Sequence, residues 1–339
     1  MAGGDSIALV VGSAAIGLAP LIFFFTQIIY PKSQLLIVSI TAAFFYLLSS
    51  VASGLCWYIF NDFIGISWKW FAIAPAVLCQ FLVRVGFVKL YHQVEQAVQE
   101  SIAVSEAERE ENSSGDDNAS TGTDPDVAAT AKLKLELNDA ASGLAAGVGF
   151  GGMHAIVFFG SLLASETATT GVLYQPSCPY VPSLAVSALN CCSFFFLDIM
   201  WMLFTFFGVR RRVIFPRGGG NLNDMNPRHR QFGSYFGNTR MGGNMSLITV
   251  LVSHFMAAGF TTFNQYNHGC TFSLPLLFST VLSVLWLFRA GISKIYKPLP
   301  YSNQRLSLPA SFSYASHASR VGENENGMDY VEQMRTSDS

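Results

Sequence analysis

The sequence predicts an all-α polytopic membrane protein, a bundle of seven transmembrane helices with its N-terminus lumenal or extracellular and its C-terminus cytosolic. Three observations carry that expectation. Charged residues are only 12% of the 339, about half the usual quarter, while apolar residues reach 51%. Seven apolar stretches are each long enough to cross about 30 Å of hydrocarbon as a helix. The basic residues outside those stretches fall almost entirely on one side. A net charge of -2 gives no support to nucleic-acid binding, which shows as a basic excess.

The stretches run Ile7–Tyr30, Leu35–Phe60, Phe71–Tyr91, Gly143–Ala164, Val181–Phe207, Met245–Phe263 and Phe272–Ile292. Within them lie only Arg84, Lys89, Asp198 and Arg289, with His154 and His254. Lys89 and Arg289 sit near helix ends, where they can snorkel to the interface. The first stretch follows Asp5 rather than a basic region and is too long for a cleaved signal peptide, so it is expected to be retained.

With the N-terminus outside, the inner segments hold Lys32, Arg109, Lys132, Lys134, the seven Arg from Arg210 to Arg240, Lys294, Lys297, Arg305, Arg320 and Arg335. The outer segments hold Lys69 alone. That asymmetry sets the orientation. The membrane domain spans residues 1–297. It includes an acidic cytosolic loop at about 100–140, expected to be disordered for want of large apolar residues, and an Arg-rich cytosolic loop at 208–244. Residues 298–339 form a polar, Ser-rich tail of the same kind. The sequons at Asn112 and Asn118 then face the cytosol and stay unglycosylated. No internal repeat supports an inverted-repeat transporter.

Of the cysteines, Cys56, Cys79, Cys191 and Cys192 lie inside helices as small apolar residues. Cys178 and Cys270 fall in two outer loops, where an oxidising compartment permits either a disulfide or two free thiols. In the fourth stretch, Gly143, Gly147, Gly151 and Ala155 recur every four residues and form one helix face. Small residues there let another helix approach closely, whether from this chain or from a partner.

Asp198 is the costly residue. A carboxylate near the middle of an apolar helix costs at least ~3 kcal/mol unless it is neutral or partnered. His254, midway along the sixth helix, can donate and accept and so can satisfy it. The two are a structural pair, a ligand or proton site, or part of a catalytic centre; structural pairing ranks first. Gln80 and Arg84, one turn apart on the third helix, form a second polar pair able to reach the cytosolic interface.

No catalytic residue is assigned. One deep carboxylate is insufficient for an intramembrane aspartyl protease, and neither Gly-x-Ser-Gly nor His-Glu-x-x-His occurs. His154, Asp198 and His254 are singletons on three helices and carry no metal assignment; no cofactor is expected. A seven-helix receptor shares the topology and is the alternative. However, the third helix ends Arg84-Val-Gly-Phe-Val-Lys89 and the seventh runs Trp286-Leu-Phe-Arg289, without the usual receptor triplets.

The ordered set of strings resembles the anterior pharynx-defective (Aph) subunit of gamma-secretase. Gly143-x-x-x-Gly147-x-x-x-Gly151 is similar to the family's double GxxxG on its fourth helix. Ala43-Phe44-Phe45-Tyr46-Leu47 with Cys56-Trp57 is similar to its second, and Val77-Leu78-Cys79-Gln80 with Arg84 and Lys89 to its third. Ser253-His254-Phe255 with Thr262-Phe263-Asn264 resembles the sixth, and Leu285-Trp286 with Ala290-Gly291 the seventh. The resemblance covers roughly Pro20 to Lys294.

It implies a non-catalytic scaffold in the lipid bilayer that assembles presenilin, nicastrin and the presenilin enhancer into an intramembrane aspartyl protease. Such a complex processes type I membrane proteins such as Notch-like receptors. It also implies residence in the endoplasmic reticulum, Golgi and plasma membrane, and a glycine face that receives a partner helix. The family carries intramembrane histidines on helices five and six, tied to assembly. His254 matches the second; Asp198, within Leu197-Asp198-Ile-Met-Trp201, stands where the first belongs. Phe81 stands where the family often has an acidic residue.

Overall fold

The computed structural model describes residues 2–60, 73–113, 139–167, 173–214 and 240–291. The tail at 298–339, most of the acidic loop and the middle of the Arg-rich loop lie outside the described residues. The chain divides into Met1–Tyr296 and Lys297–Ser339, the second unit lying wholly outside them.

Among the described residues, seven helices are long and apolar enough to cross a membrane. Helix α1 is Ala2–Phe24, continued by a π turn at Phe25–Ile29, and α2 is Ser33–Tyr58. Helix α3 is Ile73–Ser113 and α4 is Asp139–Thr167. A short antiparallel hairpin follows, β1 (Tyr174–Gln175) and β2 (Cys178–Pro182), with Tyr174 opposite Pro182 and Gln175 opposite Cys178. Helix α5 is Ser183–Ile214. Helix α6 is Arg240–Thr261, extended by a 3-10 turn at Thr262–Gln265, and α7 is Cys270–Ala290.

Two features differ from the sequence expectation. Helix α3 runs past its apolar segment to Ser113, so the first part of the stretch expected to be disordered is helical. Residues 93–111 are rich in Gln, Glu and Ala, good helix formers that extend a helix already nucleated in the membrane. The hairpin lies in what the sequence presents as an irregular loop. Cys178 within it is bonded to Cys270 across a Cα–Cα distance of 5.6 Å, joining the hairpin to the start of α7. The neighbouring backbones also meet, His268 N–H on Pro176 O and Cys270 N–H on Ser177 O, each 3.2 Å. Gly269 lets the connection from α6 to α7 close tightly on itself, since a Cβ there would come 1.7 Å from Phe263 O.

Many hydroxyls along the helices are satisfied by a carbonyl one turn back, which suits a medium without water. Thr41 donates to Ile37 O (2.8 Å), Ser53 to Ser49 O (2.7 Å) and Thr280 to Leu276 O (2.9 Å).

Helix α5 is the axle. It has 78% of its membrane-length window buried, against 11% for α1. Its residues enter the three largest apolar clusters: Met202 and Phe206 beside α2–α4 and α6, Leu197 and Phe204 beside α6 and α7, and Phe195 and Ile199 beside α1, α2 and α4.

The glycine face of α4 seats this axle. A Cβ on Gly147 would lie 2.6 Å from the Cα of Ile199, one on Gly151 3.0 Å from Cβ of Asp198, and one on Gly143 3.2 Å from Leu203. The expectation that this face receives a partner helix is therefore corrected: α5 of the same chain fills it. Backbone-to-backbone packing replaces the hydrophobic drive that lipid does not supply. Other glycines of α4 seat other neighbours, Gly149 against Ser39 O of α2 and Gly152 against Leu21 of α1.

Gly147→Ala is expected to cost roughly 1–3 kcal/mol through overpacking, and Gly147→Leu more. Unfolding midpoints of the purified chain in detergent check this. Unchanged midpoints would mean that the α4–α5 contact is not tight.

Candidate intramembrane polar site

Five helices converge on one buried cluster. Arg84 of α3 and Asp198 of α5 have no exposed surface, and Arg84 Nη2 donates to Asp198 Oδ1. The second oxygen of Asp198 is 2.8 Å from Nδ1 of His154, on α4. Arg84 Nη1 is 3.3 Å from Nδ1 of His254, on α6. The ring of Tyr46, from α2, stacks on His154 with centroids 5.1 Å apart.

Apolar and aromatic neighbours hold these groups in place. The guanidinium lies 4.4 Å from the Phe150 ring centroid and 5.0 Å from that of Trp201. Trp201 also packs on His254 at 4.2 Å and donates its Nε1–H to Ser253 Oγ at 2.8 Å. Gly151 lets Asp198 come close to α4, and His154 follows three residues later on adjoining helix surface.

The network assigns its own tautomers. Arginine has no acceptor, so His254 Nδ1 carries the lone pair that faces Arg84. Asp198 as a carboxylate accepts from His154 Nδ1–H. Both Asp198 oxygens are thus engaged and buried, an arrangement that neutralises charge rather than offering an exposed acid or base.

Three sequence expectations change here. Asp198 is held by Arg84 and His154, and Arg84 stands between it and His254, so the direct Asp198–His254 pair is replaced by a chain of four. Arg84 is not part of a separate pair reaching the interface. It is buried at the centre because only a cation there compensates Asp198. Gln80, one turn away, does not join Arg84; its Oε1 is buried and without a hydrogen-bond partner. The guanidinium between Asp198 and His254 also takes the place a metal would need.

Gln80, His154, His254, Asn190 and Asn264 instead line one cavity of about 520 Å³, towards the hairpin end of the bundle. At the other end, Arg210 of α5 donates to Asp139 (2.6 and 2.8 Å) and Glu95 (2.5 Å), joining α5 to α4 and α3. His92 Nε2 is 3.7 Å from Asp139. Donor atoms of His92, Glu95 and Asp139 lie within 4.8 Å of one another, a spacing that suits a metal, but Arg210 already bridges both carboxylates.

A family model, Aph-1 protein, matches residues 8–293, from within the first turns of α1 to beyond the end of α7. The chain belongs to the Aph-1 family. The family is that of a gamma-secretase subunit, and membership supports this chain's place as a component of gamma-secretase. No curated protein matches it in sequence.

Removing one member of a buried ion pair strands the other charge. Asp198→Leu and Arg84→Met are each expected to cost about 3–5 kcal/mol, while the two together recover much of the loss. Unfolding midpoints of the four proteins check this, and strictly additive losses would show that the two residues do not pair.

Proposed function

We propose that this Aph-1 family member is a non-catalytic scaffold that assembles presenilin, nicastrin and the presenilin enhancer into gamma-secretase. In that role it supports cleavage of type I membrane proteins such as Notch-like receptors. The observation that carries the proposal is the family match across the whole bundle. The buried network fits beside it. Asp198, Arg84, His154 and His254 lock four helices together, which is what a scaffold requires, and Asp198 has both oxygens committed to that lock.

Because α5 occupies the glycine face, partner helices dock elsewhere. Helices α2 and α7 present exposed rows, Ile37, Ile40, Phe44, Leu48 and Val51 on one and Phe272, Leu282 and Trp286 on the other. Each suits lipid or a neighbouring helix. Mutations at Gly143, Gly147, Gly151 and Ala155 then reduce assembly by deforming the α4–α5 unit. Asp198, His254 and Arg84 act in the same indirect way.

The charge asymmetry supports a lumenal or extracellular N-terminus and a cytosolic C-terminus, and family membership supports passage through the endoplasmic reticulum and Golgi to the plasma membrane. That orientation puts Cys178–Cys270 and the hairpin on the oxidising side.

Affinity purification of the tagged chain in mild detergent is expected to bring down presenilin. A G protein in its place would favour a seven-helix receptor. Reporters fused to the two ends should read lumenal at the N-terminus and cytosolic at the C-terminus; the reverse pattern would overturn the orientation.

A further inference from the structure

Two of the four free cysteines touch. Cys56 Sγ on α2 lies 3.8 Å from Cys79 Sγ on α3, and both residues are half-buried. Closing that gap to the ~2.05 Å of a disulfide takes a movement of about 1.8 Å, shared between two side chains that can each turn about Cα–Cβ. Cys191 and Cys192 are not placed in this way. Adjacent residues of a helix do not face each other, and Cys191 Sγ meets Gly17 O at 3.6 Å.

The pair sits at the hairpin end of the bundle. Cys56 is two residues from the end of α2, beside exposed Trp57 and Tyr58, residue types that gather at the membrane interface. Cys79 is in the second turn of α3, next to Gln80, which lines the same cavity as Gln175 of β1. That end already holds one oxidised pair, Cys178–Cys270. Thiols at the same end meet the conditions under which such a bond forms and persists. The place also matters mechanically. Arg84 follows Cys79 by five residues on α3 and has to stay opposite Asp198. A covalent tie from α2 at Cys79 would fix the depth and rotation of α3 next to that ion pair.

We propose that Cys56 and Cys79 are a redox-active thiol pair, which closes by exchange with a small organic disulfide such as glutathione disulfide into a second bridge tying α2 to α3. Cys56, nearer the interface, gives up its proton and attacks one glutathione sulfur. The S–S bond of glutathione disulfide breaks, and one glutathione leaves and takes up a proton. Cys79 then loses its proton, attacks Cys56 Sγ in the mixed disulfide and expels the second glutathione, which is protonated in turn. Two protein thiols are oxidised by two electrons, and one glutathione disulfide is reduced to two thiols. The reverse exchange reopens the bridge.

The test uses the full chain in nanodiscs, held in glutathione buffers of rising disulfide-to-thiol ratio, quenched with N-ethylmaleimide and cut with trypsin. Cleavage at Lys69 separates residues 33–69, which carry Cys56, from residues 70–84, which carry Cys79. At oxidising ratios the two peptides are expected joined, with the mass of their sum less two hydrogens, and separate again after dithiothreitol. This readout needs no variant and does not depend on which way the chain crosses the membrane. In Cys79→Ser, Cys56 accumulates one bound glutathione instead, because nothing resolves the mixed disulfide. In chains whose Cys178–Cys270 bond is intact, oxidation raises the thermal midpoint of the wild type and of neither Cys56→Ser nor Cys79→Ser. Wild-type thiols that stay open to alkylation at every ratio, a glutathione adduct on Cys56 that never closes, or Cys56 joined to Cys191 or Cys192 as often as to Cys79 overturns the proposal.

Discussion

The bundle is organised around a charge that cannot be left alone. Asp198 sits on the most enclosed helix, and a carboxylate there is tolerable only with a cation against it. Arg84 supplies that cation from α3. Arg84 is itself fully buried, so the pair fixes the relative depth and rotation of two helices that otherwise meet through interchangeable apolar contacts. Lipid offers no hydrophobic drive to choose among those contacts, whereas an ion pair admits one register. His154 and His254 extend the same constraint to α4 and α6. Four helices thus share one geometrical condition.

That condition is reachable only because α4 has glycines where it faces α5. With a Cβ at Gly147 the two backbones would separate, and His154 would move away from Asp198. The small-residue face and the polar cluster are therefore one device: the glycines set the distance, and the cluster sets the register. Arg210 repeats the arrangement at the far end, where Asp139 and Glu95 hold α5 against α4 and α3. Two charged knots about three turns apart on α5 leave the central helix little freedom to slide.

Much of this was legible in the sequence. Seven apolar stretches, the four-residue glycine spacing and the cost of Asp198 all follow from composition and period. Partner choice was harder. Asp198 and His254 stand out because each is an isolated polar group on an apolar helix. Arg84 looks like one of several residues near a helix end, and only the placement of α3 against α5 shows that it is central. His154 carried a usable signal, three residues beyond Gly151 on the side of α4 that packs against α5. The identity of the helix on the glycine face could not be read, since spacing describes a surface and not its occupant. The hairpin was hidden because Cys178 within it is tied to a cysteine 92 residues away in the chain.

Two positions depart from the pattern that the resemblance implies. The resemblance puts a histidine at the position of Asp198 and often an acid at that of Phe81. Here the acid is on α5 and the position on α3 is apolar, with Phe81 packed against two core clusters. The counter-charge of the Arg84 guanidinium therefore comes from α5, and the imidazole that shares Asp198 comes from α4, so the buried cation is balanced entirely by helices other than its own.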